Sequence, residues 1–142
     1  MAVRTEADVD ADQLRQMRRK HIFAVNGASD FLNVLRDLLE DESYNVTTTN
    51  FVPGTFEQIA ALEPSLLIID LAIHVDAGWD MLERLRSDVL THGIPVIVVS
   101  TDANLLERVQ ADQPRYGGQR FLSKPFDIEV LLRAVDELIG AA

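Results

Sequence analysis

Five short apolar runs alternate with five amphipathic stretches over residues 21–140, and the alternation predicts an α/β domain with one parallel sheet. The inner runs Leu66–Ile69 and Ile94–Val99 are apolar throughout, as strands covered on both faces are. A length of 142 residues suits one domain of ordinary size. The prediction is a doubly wound five-stranded sheet with helices on both sides.

Each element follows from its own residues. His21–Val25 is the first strand, and Asn26-Gly27 breaks it. Ser29 suits a helix N-cap, after which Phe31, Leu32, Val34, Leu35, Leu38 and Leu39 recur at helical spacing. Tyr44–Thr49 is β-branched and short, hence a strand. Pro53-Gly54 marks a turn, Thr55 is placed to cap a small helix with Phe56, Ile59, Ala60 and Leu62 inward, and Pro64 stops it. Leu66–Ile69 ends abruptly on Asp70. After a loop to Gly78 comes a helix with Trp79, Met81, Leu82 and Leu85. Ile94–Val99 ends on Ser100-Thr101, and Leu105, Leu106 and Val109 mark a shorter helix. Tyr116-Gly117-Gly118 reads as a loop and Arg120–Ser123 as the last strand. Asp127 is placed to cap a final helix with Ile128, Leu131, Leu132, Val135, Leu138 and Ile139 on one stripe.

Composition excludes several classes of function. Thirteen basic against 23 acidic residues give a formal charge of −10, which repels a phosphate backbone and argues against nucleic-acid binding. The absence of cysteine removes disulfides, thiolate catalysis and Cys-based metal sites. No apolar run is long enough to span a bilayer, and Arg4, Glu6, Asp8, Asp10 and Asp12 interrupt any signal core, so a cytoplasmic domain without a membrane partner is expected. Residues 1–20 carry five basic and four acidic groups with the bases last. They are expected to form a mobile leader or short helix ahead of a domain over 21–142.

Ligands of open parallel sheets sit beyond the carboxyl ends of the strands. Here those ends read Val25-Asn26-Gly27, Asp70, Ser100-Thr101 and Ser123-Lys124-Pro125. Lysine occurs only twice against eleven arginines, and one of the two closes the last strand. An ammonium is a compact charge able to enter a narrow crevice. A carboxylate, a hydroxyl and an ammonium converging there are equipped to receive a phosphoryl group: the first attacks phosphorus while the others bind its oxygens.

Asp70 after a buried run, Ser100 thirty residues later and Ser123-Lys124-Pro125-Phe126 before the last helix resemble the receiver domains of two-component response regulators. The resemblance spans about residues 21–140. It implies a flavodoxin-like fold with strand order 2-1-3-4-5 and a signalling module, not an enzyme. It places Asp70 as phosphoacceptor, Ser100 as the switch hydroxyl, Lys124 as the contact to phosphoryl oxygens and Phe121 as the aromatic switch. Gly78 matches the glycine that opens the third helix, and Lys124–Pro125 is often a cis bond in the family. The implied partners are a histidine kinase or phosphotransfer protein and a downstream protein on the fourth helix, fifth strand and fifth helix, with a homodimer as a further assembly.

The departures carry as much information. Receivers place two adjacent acids after the first strand to hold Mg²⁺, whereas this chain has Asn26-Gly27. The ligands left are the Asp70 carboxylate, the Asn26 side-chain oxygen as a weak donor and the Ala72 backbone carbonyl. Mg²⁺ prefers hard anionic oxygens, so the expected site is weak or absent. His21 and His92 read as structural, His74 is a candidate for the crevice wall, and Trp79 reads as core or groove filler. Three functions remain open: a phosphoryl-accepting receiver, a degenerate receiver that docks partners without phosphorylation, and a small-molecule binder with no dedicated motif.

Overall fold

The computed structural model describes residues 20–25, 29–50, 54–71 and 76–140. Its elements are β1 (His21–Val25), α1 (Ser29–Asp41), β2 (Asn45–Thr49), α2 (Thr55–Leu62), β3 (Leu66–Leu71), α3 (Asp76–Ser87), β4 (Val96–Ser100), α4 (Ala103–Ala111), β5 (Arg120–Ser123) and α5 (Ile128–Ile139). A one-turn helix, Gln113–Tyr116, lies between α4 and β5. The five strands pair in parallel in the order β2-β1-β3-β4-β5, the doubly wound arrangement expected from the sequence.

Strand alternation distributes the core between two layers. Phe23, Val25, Leu67, Ile69, Leu71, Val96 and Val98 face α2, α3 and α4, where they meet Phe56, Ile59, Leu82, Leu85, Leu106 and Val109. The intervening Ile22, Ala24, Leu66, Ile68, Ile97 and Val99 face α1 and α5, against Leu35, Leu39, Leu131 and Val135. Each large aliphatic side chain so buried contributes about 1.5–3 kcal/mol. This two-sided burial explains why β3 and β4 are apolar at nearly every position.

Local chemistry shifts several boundaries. The strand expected from Ile94 begins at Val96, because Pro95 has no N–H to give the ladder and Ile94 donates its own to the Thr91 carbonyl at 3.0 Å. Gly54, at φ +91°, takes the cap position expected of Thr55, and the Thr55 hydroxyl donates instead to the Asn50 carbonyl at 3.1 Å. Asp127 stands at the N-cap of α5 without a side-chain cap bond. α3 begins at Asp76, so Gly78 lies buried in its first turn. The one-turn helix at Gln113 was not expected; Pro114 near its start supplies a fixed φ and needs no N–H partner there.

At the lower end of the sheet, the Lys20 ammonium donates to the Ile139 carbonyl and the Tyr44 hydroxyl to that of Gly140 at 2.7 Å. A cation and a phenol thus satisfy carbonyls that the end of a helix leaves without partners. Residues 1–19 lie outside the described residues, as do Asn26, Gly27, Ala72 and His74. No helix among the described residues is long and apolar enough to cross a membrane.

Candidate functional site

The carboxyl ends of β3, β4 and β5 bring three of the expected residues together. Asp70 pairs across the sheet with Val99, Leu71 with Ser100, and Ser100 with Ser123. The Lys124 N–H continues the ladder to the Ser100 carbonyl at 2.8 Å, which fixes the lysine beside the end of β4. From there its ammonium forms an ion pair with the Asp70 carboxylate, the two side chains being 17% and 6% exposed. The Lys124–Pro125 peptide is cis.

Alternation puts carboxylate and hydroxyl on opposite sides of the sheet. Asp70 shares the parity of Leu66 and Ile68, whose layer is that of α1 and α5, and Lys124 shares the parity of Leu122 in the same layer. Ser100 shares the parity of Val96 and Val98, on the layer of α3 and α4. Its hydroxyl donates to the Leu71 carbonyl at 2.6 Å and accepts the Asp102 N–H at 3.1 Å. The buried Ser100 is therefore satisfied by backbone and linked to Asp70 through the next residue of β3. Asp102 caps α4 by accepting the Asn104 N–H at 2.8 Å, which ties the end of β4 to that helix.

Phe121 lies opposite Val98, on the same layer as Ser100, with its ring packed on the α3–α4 core. His92 is exposed in the turn before β4. The Nε2 atom of His21 stands 2.6 Å from the Thr47 hydroxyl at the β1–β2 edge, and burial lowers its pKa. Both lie away from the crevice.

One feature escaped sequence reasoning. The Arg108 guanidinium lies 4.9 Å from the Trp79 ring centroid, Trp79 meets Tyr116 edge-on at 5.0 Å, and Arg115 lies 5.1 Å over Tyr116. Arg115 also pairs with Glu83 at 3.3 Å. The stack joins α3, α4 and the one-turn helix, each cation–ring contact contributing about 0.5–1 kcal/mol. Trp79 and Tyr116 share no periodicity that could have announced it.

Two hollows flank the crevice. One of about 470 Å³ lies between α1 and the loop after β5, walled by Val34, Leu38, Thr101, Lys124, Phe126 and Ile128. The other, of about 460 Å³, lies between α3 and α4 beside Trp79, Asp102 and Arg108.

Asp70 brings one carboxylate, already carrying the Lys124 ammonium, and among the described residues no three His, Asp or Glu side chains stand together.

Known proteins resemble this chain. A family model for the response regulator receiver domain matches residues 22–136. The DNA-binding dual master transcriptional regulator RpaA of a Synechocystis strain is 32% identical over 78 residues, covering 55% of this chain and 32% of that protein. The nitrogen assimilation regulatory protein NtrX of Azorhizobium caulinodans is 30% identical over 112 residues, covering 78% of this chain and 24% of that one. The chain thus spans about a third or less of both regulators. Among solved structures, the N-terminal domain of the nisin resistance regulator NsrR superposes with a TM-score of 0.72 at 27% identity, covering 86% of this chain and 99% of that one. A parallel β2-β1-β3-β4-β5 sheet with Asp70, Ser100 and Lys124 at its carboxyl end, matched over residues 22–136, makes this chain a member of the response regulator receiver domain family.

Proposed function

We propose that the chain takes a phosphoryl group onto Asp70 from the phosphohistidine of a histidine kinase or phosphotransfer protein. In that step an Asp70 carboxylate oxygen attacks phosphorus, the P–N bond to the donor imidazole breaks, and an acyl phosphate forms. The observation that supports this reading is the closed circuit of contacts: Lys124 to Asp70, Ser100 to the carbonyl after Asp70, and Lys124 back to Ser100. The ammonium neutralises charge on the incoming oxygens, and its position beside the nucleophile costs no reorganisation. Ser100 is the last residue of β4, so its hydroxyl can leave the Leu71 carbonyl and swing over the end of the sheet to meet a phosphoryl oxygen, and Phe121, on the same layer as Ser100, follows into the space it vacates.

The receiver domain of the sensor histidine kinase PA1611 of Pseudomonas aeruginosa holds a magnesium ion in its active-site cleft. Here we read the metal site as weakened, with Asp70, the Asn26 oxygen and the Ala72 carbonyl as the ligands left to it, because a hard dication that gives up its waters reluctantly gains little from a carboxylate already paired with an ammonium. No step is assigned to the metal. Output passes in this reading through α4, β5 and α5 to a downstream protein or to a second copy of the chain, inside the cytoplasm.

A second reading, a docking module that works without phosphorylation, draws support from Asn26-Gly27 in place of the acid pair and from the poor Mg²⁺ fit. Intact mass after incubation with a small phosphodonor and Mg²⁺ separates the two. The first reading expects one added phosphoryl group, lost in Asp70→Asn; no addition to the wild-type chain leaves the second.

A further inference from the structure

We propose that Gly118 is the seat on which the Phe121 ring rests, and that this seat holds the ring away from Ser100. The inference deepens the proposed function, since it rests on Phe121 being the moving aromatic. Gly118 is buried at φ +99°, a conformation that a side chain rarely adopts. A Cβ placed there would stand 2.8 Å from Cζ and 2.9 Å from Cε1 of Phe121, with Val98 Cγ2 at 3.4 Å. The first two distances are closer than carbon atoms approach, so either the backbone or the ring must yield.

The backbone is pinned. The Gln113 side-chain amide donates to the Gly118 carbonyl at 2.9 Å, and the Gly117 N–H to the Gln113 carbonyl at 2.7 Å. On the other side the Gln119 N–H donates to the Val96 carbonyl at 2.9 Å, and the Val96 N–H to Gln119 Oε1 at 2.6 Å. Moving Gly118 would break bonds on both flanks. The Phe121 ring is only half-buried and sits on the edge strand β5, so it yields more readily than the pinned backbone. Gly117 provides the contrast: at φ +73° its Cβ would meet only the flexible Arg86 side chain, at 3.3 Å.

Strand register gives the seat its direction. Phe121 lies opposite Val98 and Ser123 opposite Ser100, so the hydroxyl stands two residues further along the sheet, about 6–7 Å. Gly118 precedes β5, on the other side of Phe121. A ring seated on Gly118 is therefore held down the strand, away from the hydroxyl. A methyl group at 118 evicts it.

Gly118→Ala, Phe121→Leu and the double variant test this. Because Val98 lies opposite Phe121, the wild-type ring is expected to shift the Val98 methyl resonances. Gly118→Ala is expected to lose that ring-current shift, moving them to where Phe121→Leu places them. Gly118→Ala should also lower Tm, and the loss should shrink by about 3 °C or more in the Phe121→Leu background, where only backbone strain remains. If Gly118→Ala does not fold but the double variant does, the ring clash is the cause and the seat stands. Equal losses in both backgrounds, unfolding of both alike, or Val98 methyls unmoved in Gly118→Ala would overturn it. Failure of the phosphoacceptor reading looks different: wild-type Asp70 takes no phosphoryl group while the Val98 shift and the thermal coupling persist.

Discussion

Lys124→Met removes the ammonium from Asp70 while keeping an unbranched chain of similar length. The carboxylate left behind is 6% exposed, at the end of a strand whose other residues are buried, so water reaches it poorly. Breaking a buried pair by removing one partner costs about 3–5 kcal/mol. Lys124 is itself 17% exposed, so the pair is not dry and the lower end applies, about 3 kcal/mol. For a domain of this size that is a fall in Tm of about 10 °C. Asp70→Asn has a smaller cost, about 1 kcal/mol, because the amide keeps the shape without the charge and the ammonium, 17% exposed, stays in reach of solvent. The cycle with Asp70→Asn/Lys124→Met should yield a coupling of about 2 kcal/mol by urea denaturation. In parallel, phosphoryl labelling of Lys124→Met followed by intact mass should slow at least tenfold, about 1.4 kcal/mol of lost transition-state stabilisation. A coupling below about 0.5 kcal/mol would reduce the contact to an ordinary surface ion pair. Unchanged labelling would remove Lys124 from the chemistry.

Two further outcomes follow. Burial lowers the His21 pKa, so the folded chain resists a proton that the unfolded chain accepts near pH 6.5; stability is full above that value and declines as pH falls through it. Urea midpoints of wild type and His21→Gln at about pH 8 and pH 5.5 check this, and a wild type that loses no more than the variant on acidification refutes it. Replacing Asn26 and Gly27 together by Asp should tighten Mg²⁺ binding at least tenfold and speed labelling of Asp70, because three clustered carboxylates repel until a cation joins them. A wild type that already binds Mg²⁺ as tightly as the double variant means that another group supplies the ligands.

The alternation of periods was legible residue by residue because burial on a strand or a helix is a local pattern. Leu66–Ile69 needed only four aliphatics in a row to announce a strand covered on both faces, and β3 is such a strand. Asp70, Ser100 and Lys124 were legible as candidates because each stands where an apolar run ends. Boundaries were harder. Pro95 and Gly54 changed them through a missing donor and a positive φ, effects of one residue on its neighbours' hydrogen bonds.

Partnership belonged to the tertiary structure. Lys124 reaches Asp70 across 54 residues of sequence because parallel register puts both at one end of the sheet and alternation puts both toward α1 and α5. The same alternation turns Ser100 to the other layer and leaves its hydroxyl on the Leu71 carbonyl, a contact no spacing rule contains. The Arg108–Trp79–Tyr116–Arg115 stack and the Phe121 ring on Gly118 are likewise meetings of elements that share no period. Sequence by itself determined which stretches are strands and which are helices, because that depends on a residue and its near neighbours, although Leu62, read as inward, is 46% exposed and the strand read as ending at Ile69 runs on to Leu71. Which carboxylate meets which ammonium, and which ring finds room, depends on distances between separate elements, and these exist only once the sheet has closed its register.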